Sequence, residues 1–194
     1  MTMASSSSAS IAKPADGIDF SSLPWNLNLP DKHVYLHMTT ESDWSAIESS
    51  LDNNGASTDP LDQYVFSYAD KKLPVSPATT SLNYGTTIWE GLKAYRATEN
   101  EAIVFRCDQN YQRMKRGAEQ VCLPMPNERL FLRAIQLAVQ KNAHLLPPVG
   151  EGMKLYIRPM LLGSGQQLGL YPSPQFSFLV YVSPTGNYFK SATT

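Results

Sequence analysis

Residues 82–106 read LNYGTTIWEGLKAYRATENEAIVFR, and their second half decides the fold. From Leu92 to Arg96, apolar and polar side chains alternate as on a half-buried strand. AIVFR (102–106) has the β-branched and aromatic residues of a second strand, and the polar ATENE between the two makes them a β-hairpin. The first half is less ordinary. It places Tyr84 and Trp89 around Gly85 and Gly91, with one acid, Glu90, set between Trp89 and Gly91. A plain turn needs none of these residues, so the stretch calls for a functional reading.

Working outward, Asp108 is read as the N-cap of a helix over about 110–122, with Met114, Ala118 and Val121 on one face. A second helix begins after Pro126. Leu130, Ala134, Leu137, Ala138 and Lys141 follow helical spacing, and HLLPPVG ends the run. KLYIRPMLLG (154–163) and QFSFLVYVS (175–183) are strands. Upstream, HVYLHM (33–38) alternates like a strand, and QYVFSYADKKLPVSP (63–77) reads as a strand with a turn. ESDWSAIESSLDNNGASTDP (41–60) reads as a polar, turn-rich insertion. Strands, then two helices, then strands form an α+β pattern.

Composition narrows the function. At 194 residues the chain suits one domain, or one and a piece of a second. Net charge is −1 and the basic residues are scattered, which leaves no electrostatic footprint for nucleic acid or an anionic membrane. No apolar run approaches the ~18 residues of a membrane helix. Cys107 and Cys122 are too few for a disulfide scaffold and lack metal-type spacing, which fits a reducing compartment. The Ser/Ala-rich start, residues 1–24, reads as disordered. Its first 15 residues contain no acid but also no Arg, so a cytoplasmic location is expected, with a plastid or mitochondrion as the alternative. Residues 184–194, PTGNYFKSATT, read as the start of an interdomain linker, so a second domain is expected to be missing.

Some motifs carry no chemistry. His33 and His37 share a strand face but have no third ligand nearby, so no metal site is expected. GSGQQLG (163–169) is followed by LYPSP, which does not open a helix as a phosphate cradle requires. Other residues fit together better. Asn110 and Arg113 lie one turn apart near a helix start, where an anion gains from the dipole and the guanidinium fork. Tyr156 and Arg158, two apart on a strand, point to one face. With Tyr84 and Trp89 they suggest an apolar pocket with an anion-binding end.

LNYGTTIWEGLKAYR, FRCDQNYQRMKRGAE, LYIRPMLLGSGQQLG and SPTGNYF occur in this order, and together they resemble the N-terminal half of branched-chain amino acid aminotransferases. These are fold-type IV enzymes that use pyridoxal 5′-phosphate. The resemblance runs from about residue 33 to residue 190 and is nearest to plant and fungal members. It implies an α+β domain over 25–183, with a mixed or antiparallel sheet and two main helices. It also implies a larger C-terminal domain that these residues do not include, the cofactor between the domains, and a homodimer.

Position by position, Arg113 matches the arginine that binds the cofactor phosphate. Tyr84 and Trp89 match aromatic residues lining the substrate side-chain pocket. Tyr156 and Arg158 match the pair that shapes the pocket and admits the second carboxylate of glutamate. Leu168 and Leu170 match the loop that reaches into the partner subunit's pocket. Trp89 stands where the family usually has Phe or Tyr, which implies a narrower pocket. The implied activity is amino-group transfer from leucine, isoleucine or valine to 2-oxoglutarate, with the matching 2-oxo acids and glutamate as ligands.

The family's Schiff-base lysine follows a Gly-rich stretch. None of the nine lysines here, Lys190 included, has that context. No catalytic residue is therefore assigned, and these residues alone are expected to be inactive. Two alternatives stand beside this reading. One is a catalytically dead remnant that dimerises with an intact paralogue. The other is a different fold-type IV enzyme, a D-amino acid aminotransferase or an aminodeoxychorismate lyase, which the Tyr-x-Arg pair followed by GSGQQLG disfavours.

Overall fold

The computed structural model describes residues 2–3, 11–28, 34–39, 44–52, 59–67, 73, 75–150 and 153–186. Its strands are β1 (Thr2–Met3), β2 (Val34–Thr39), β3 (Val65–Ser67), β4 (Thr87–Trp89), β5 (Leu92–Thr98), β6 (Glu101–Val104), β7 (Lys154–Gly163) and β8 (Phe176–Thr185). They form one sheet in the order β1-β6-β5-β7-β8-β2-β3, with β4 also on β7. Every pairing is antiparallel, which resolves the choice left open by the sequence. The hairpin of β5 and β6 is present, with Tyr95 opposite Ile103.

Two helices cover one face. α3 (Cys107–Gln120) buries Cys107, Tyr111, Met114 and Ala118, the i, i+4, i+7 stripe of an amphipathic helix. α4 (Glu128–Lys141) buries a wider stripe that includes Leu130, Phe131, Ala134, Ile135 and Ala138. The Asn127 side chain caps α4 by accepting from the Leu130 N–H at 2.9 Å. Against the helices lie Leu92 and Ala94 of β5, Leu155, Ile157 and Leu161 of β7, and Phe178, Val180 and Val182 of β8. The intervening residues of β7, Tyr156, Arg158 and Met160, are half-buried on the other face.

Four expectations need correction. Asp108 is not the N-cap of α3. Arg106 holds that place in the left-handed region (φ 50°), and Asp108 lies in the first turn. The helix starts early because Cys107 belongs to its buried stripe. Within the polar stretch 41–60 there is a helix, α1 (Trp44–Ser50). Its only strong apolar anchors are Trp44, stacked on Phe176 at 5.6 Å between ring centres, and the buried Ile47. Tertiary contact, not a long periodic pattern, stabilises it.

A second short helix, α2 (Thr80–Tyr84), precedes β4 where only a turn was read. Residues 11–24, read as part of a disordered start, are ordered in this structure. Ile11 and Ile18 pack on the core, Phe20 is buried in a single 3₁₀ turn capped by Asp19, and the Ala15 N–H donates to the His144 carbonyl at 2.8 Å. Most of the Ser-rich run and residues 187–194, with Lys190, lie outside the described residues.

Candidate functional site

The site grows from a break in one strand. β4 and β5 lie along the same edge of β7: Trp89 is opposite Met160, and Leu92 is opposite Ile157. Between them the Glu90 N–H still donates to the Pro159 carbonyl at 3.0 Å, but the regular ladder lapses at Glu90 and Gly91. The two glycines of this stretch have different tasks. Gly85 ends α2 at φ 66° with open space around it, so it supplies a left-handed cap. Gly91 is the close approach: any Cβ there would run into the Tyr156 hydroxyl.

Glu90 turns its carboxylate into the protein. Oε1 accepts from Arg113 Nε at 2.6 Å, and Oε2 accepts from Arg113 Nη2 at 2.5 Å. Asn110 Nδ2 also donates to Oε2, at 2.8 Å. The sequence placed an anion at Asn110 and Arg113; the anion they hold here is Glu90 of the same chain. The Glu90 side chain is 6% exposed and that of Arg113 61%. Hydrogen bonding to Glu90 holds the Arg113 guanidinium still more firmly protonated than usual. Glu90 was visible in the sequence as a lone acid between Trp89 and Gly91, but no pattern told which residues it meets.

A cleft of about 550 Å³ is lined by Ile88, Trp89, Glu90, Gly91, Arg113 and Tyr156. Trp89, Tyr156 and Arg113 were named from the sequence, and the fold brings them together. Arg158 joins through its neighbours. Its Cζ lies 4.1 Å from the centre of the Trp89 ring and 5.1 Å from that of Tyr156, and Nη2 donates to the Tyr156 hydroxyl at 2.8 Å. Its Nε is buried without a hydrogen-bond partner, and no described carboxylate pairs with it. Behind Tyr156 stands Trp25, edge-on at 5.3 Å, with Lys154 Nζ 5.7 Å from the centre of its ring. Burial, then the nearby Lys93 charge, lowers the Lys154 pKa.

Tyr84, Leu168 and Leu170 form a separate group. Tyr84 donates its hydroxyl hydrogen to the Leu168 carbonyl and does not line the cleft. Leu168 and Leu170 are 89% and 85% exposed. The loop carrying them is firmly rooted. Gln167 Nε2 donates to the carbonyls of Gly169 and Tyr171, and the buried Thr80 hydroxyl donates to Ser173 Oγ at 2.9 Å. Among the described residues no group of three or more His, Cys, Asp or Glu could hold a metal ion, and no helix is long and apolar enough to cross a membrane.

No family model matches the chain. The branched-chain amino acid aminotransferase 2, chloroplastic, of Humulus lupulus is 49% identical over 118 residues, which is 61% of this chain and 29% of that protein. Among solved structures, the branched-chain aminotransferase of Thermoproteus uzoniensis, determined with norvaline, superposes with a TM-score of 0.53 at 30% identity, over 66% of this chain and 41% of that one. The branched-chain amino acid aminotransferase of T.th., determined with pyridoxamine 5′-phosphate, gives 0.56 at 20% identity, over 84% and 43%, and speaks for the fold alone. The chain spans less than a third of the length of the first curated relatives it matches. The resemblance to branched-chain aminotransferases and their α+β, fold-type IV architecture holds in both sequence and structure.

Proposed function

We propose that this chain is the N-terminal, cofactor- and substrate-binding part of a branched-chain amino acid aminotransferase. The observation that carries the reading is Arg158, a guanidinium with no carboxylate partner among the described residues, set against the Trp89 ring and the Tyr156 hydroxyl. Such a transferase alternates an aliphatic donor with an acidic one. One pocket must hold carbon chains and still satisfy a second carboxylate. Ile88, Trp89 and Tyr156 provide the apolar surface, and Arg158 provides the charge.

Pyridoxal 5′-phosphate fits the residues present. Arg113 lines the cleft, is largely exposed, and keeps Nη1 without a partner among the described residues. It would hold the phosphate by charge-assisted hydrogen bonds. When bound, the cofactor supplies the carbanion stabilisation that transamination needs. None of the nine lysines stands in the Gly-Gly-x-Lys context that the resemblance implies for the covalent anchor, so we infer that the anchor is not among these residues and that they do not transaminate by themselves. The rooted loop that projects Leu168 and Leu170 is assigned to contact with a second subunit, at whose pocket the two leucines would exclude water.

Titration with 2-oxoglutarate and with 4-methyl-2-oxopentanoate, followed by saturation-transfer NMR, tests the pocket. Arg158→Met should weaken 2-oxoglutarate by about tenfold, the loss of one charge-assisted contact, and leave the aliphatic acid within about twofold. Equal loss for both ligands removes Arg158 from the reading.

A further inference from the structure

The arginine assigned to the phosphate is already engaged. Glu90 takes Nε and Nη2 of Arg113 in a two-pronged contact, and Asn110 steadies the same carboxylate. The acid is buried, and most of the arginine is exposed. An exposed arginine otherwise moves through many rotamers, and ordering it on a ligand costs binding free energy. Anchoring one edge of the guanidinium to a buried carboxylate removes that cost in advance. The other edge, with Nη1, donates to no described residue.

We propose that Glu90 is a positioning residue for the phosphate group: it holds the Arg113 guanidinium in one plane so that its remaining N–H donors meet a phosphate monoester in the cleft. This rests on the reading of Arg113 as the phosphate arginine. Coulomb attraction alone predicts the opposite role. Glu90 cancels the arginine's charge, so on charge alone its removal would tighten an anion's binding. Positioning predicts that its removal weakens binding. The two effects differ in sign, which makes the question decidable.

The probe is pyridoxal 5′-phosphate, titrated onto the full 194-residue chain and followed by ³¹P NMR, with thermal unfolding recorded on every variant. Glu90→Ala should weaken binding by about tenfold. Glu90→Gln keeps a carbonyl acceptor for one N–H and should lose only about threefold; it also serves if the alanine variant is unstable. Arg113→Ala should lose at least as much as Glu90→Ala, and adding Glu90→Ala to it should change affinity no further. That coupling is the signature of action through the arginine, since a merely structural loss would weaken both backgrounds alike. Tighter or unchanged binding by both Glu90 variants, with Arg113→Ala weakened, overturns positioning and leaves the phosphate arginine standing. Arg113→Ala binding as well as the unaltered protein, or no saturable binding by the unaltered protein, overturns the phosphate reading and this inference with it.

Discussion

Arg158 holds its guanidinium carbon 4.1 Å from the centre of the Trp89 ring, so a charge rests on the wall that gives the cleft its apolar character. A cation over an aromatic face is worth about 0.5–1 kcal/mol at an exposed site. Trp89→Ala should therefore lower unfolding stability by about that amount and free the Arg158 side chain. Trp89→Phe keeps the aromatic face and shortens the wall. A change of a methylene or two in an apolar pocket shifts discrimination by about 1–3 kcal/mol. Longer aliphatic 2-oxo acids should gain over 3-methyl-2-oxobutanoate in competitive binding, and an unchanged ratio would remove Trp89 from the pocket.

Gly91 and Tyr156 make a second test. A Cβ at Gly91 would run into the Tyr156 hydroxyl and lie 3.0 Å from Cζ. Gly91→Ala should cost about 1–3 kcal/mol through overpacking and disturb the Tyr156–Arg158 hydrogen bond. Tyr156→Phe removes the colliding oxygen, so the double variant should recover part of that loss. Additive losses in urea unfolding would show that the strain lies elsewhere.

Arg96 is a buried cation at the edge of the core. Its guanidinium donates to the carbonyls of Ala12, Glu99, Ala143, Leu146 and Pro147, tying the N-terminal segment to the end of α4 and the loop after it. Burial lowers its pKa, with Glu99 opposing. Arg96→Ala leaves these carbonyls without their donor, at a cost of about 3 kcal/mol or more. For a domain of this size that is a fall in Tm of roughly 6–12 °C. Arg96→Lys, which keeps the charge but not the fork, should fall between. A shift under about 2 °C for Arg96→Ala would show that the carbonyls find other donors.

The parts of this fold that sequence reveals are those in which each residue's neighbours are periodic. β7 runs Lys154–Gly163 as read, and Tyr156 and Arg158 share a face because a strand alternates. α3 and α4 were legible from their apolar stripes, although the Arg106 cap was not, because a left-handed non-glycine residue has no strong sequence mark. α1 was hidden because two anchors, Trp44 and Ile47, are too few to define a period. At the site, Trp89, Tyr156 and Arg113 were legible as residue types in a family pattern. The Glu90–Arg113 pair was not, because it joins residues 23 apart in the chain through a break in strand pairing. Tyr84 was grouped with Trp89 by proximity in sequence, but α2 turns it toward Leu168.

Cys107 and Cys122 should separate cleanly in reactivity. Cys107 is buried at the start of α3, and burial pushes its thiol up to about 12, whereas Cys122 is exposed. The thiolate is the reactive form, so at pH 8 iodoacetamide should label Cys122 and spare Cys107 until the chain unfolds. The same shift fixes a sign for stability. An unfolded thiol ionises at about pH 8.5, so above that pH the unfolded chain releases its proton while the folded one keeps it. The contribution is fully present below about pH 8.5 and is lost as pH rises toward 12. Urea midpoints at pH 7, 9 and 10.5 should therefore fall more steeply for the unaltered protein than for Cys107→Ala, which has no proton to lose there. Parallel slopes in the two proteins, or early labelling of Cys107 at pH 8, would mean that the N-terminal turn of α3 opens far more readily than its packing implies.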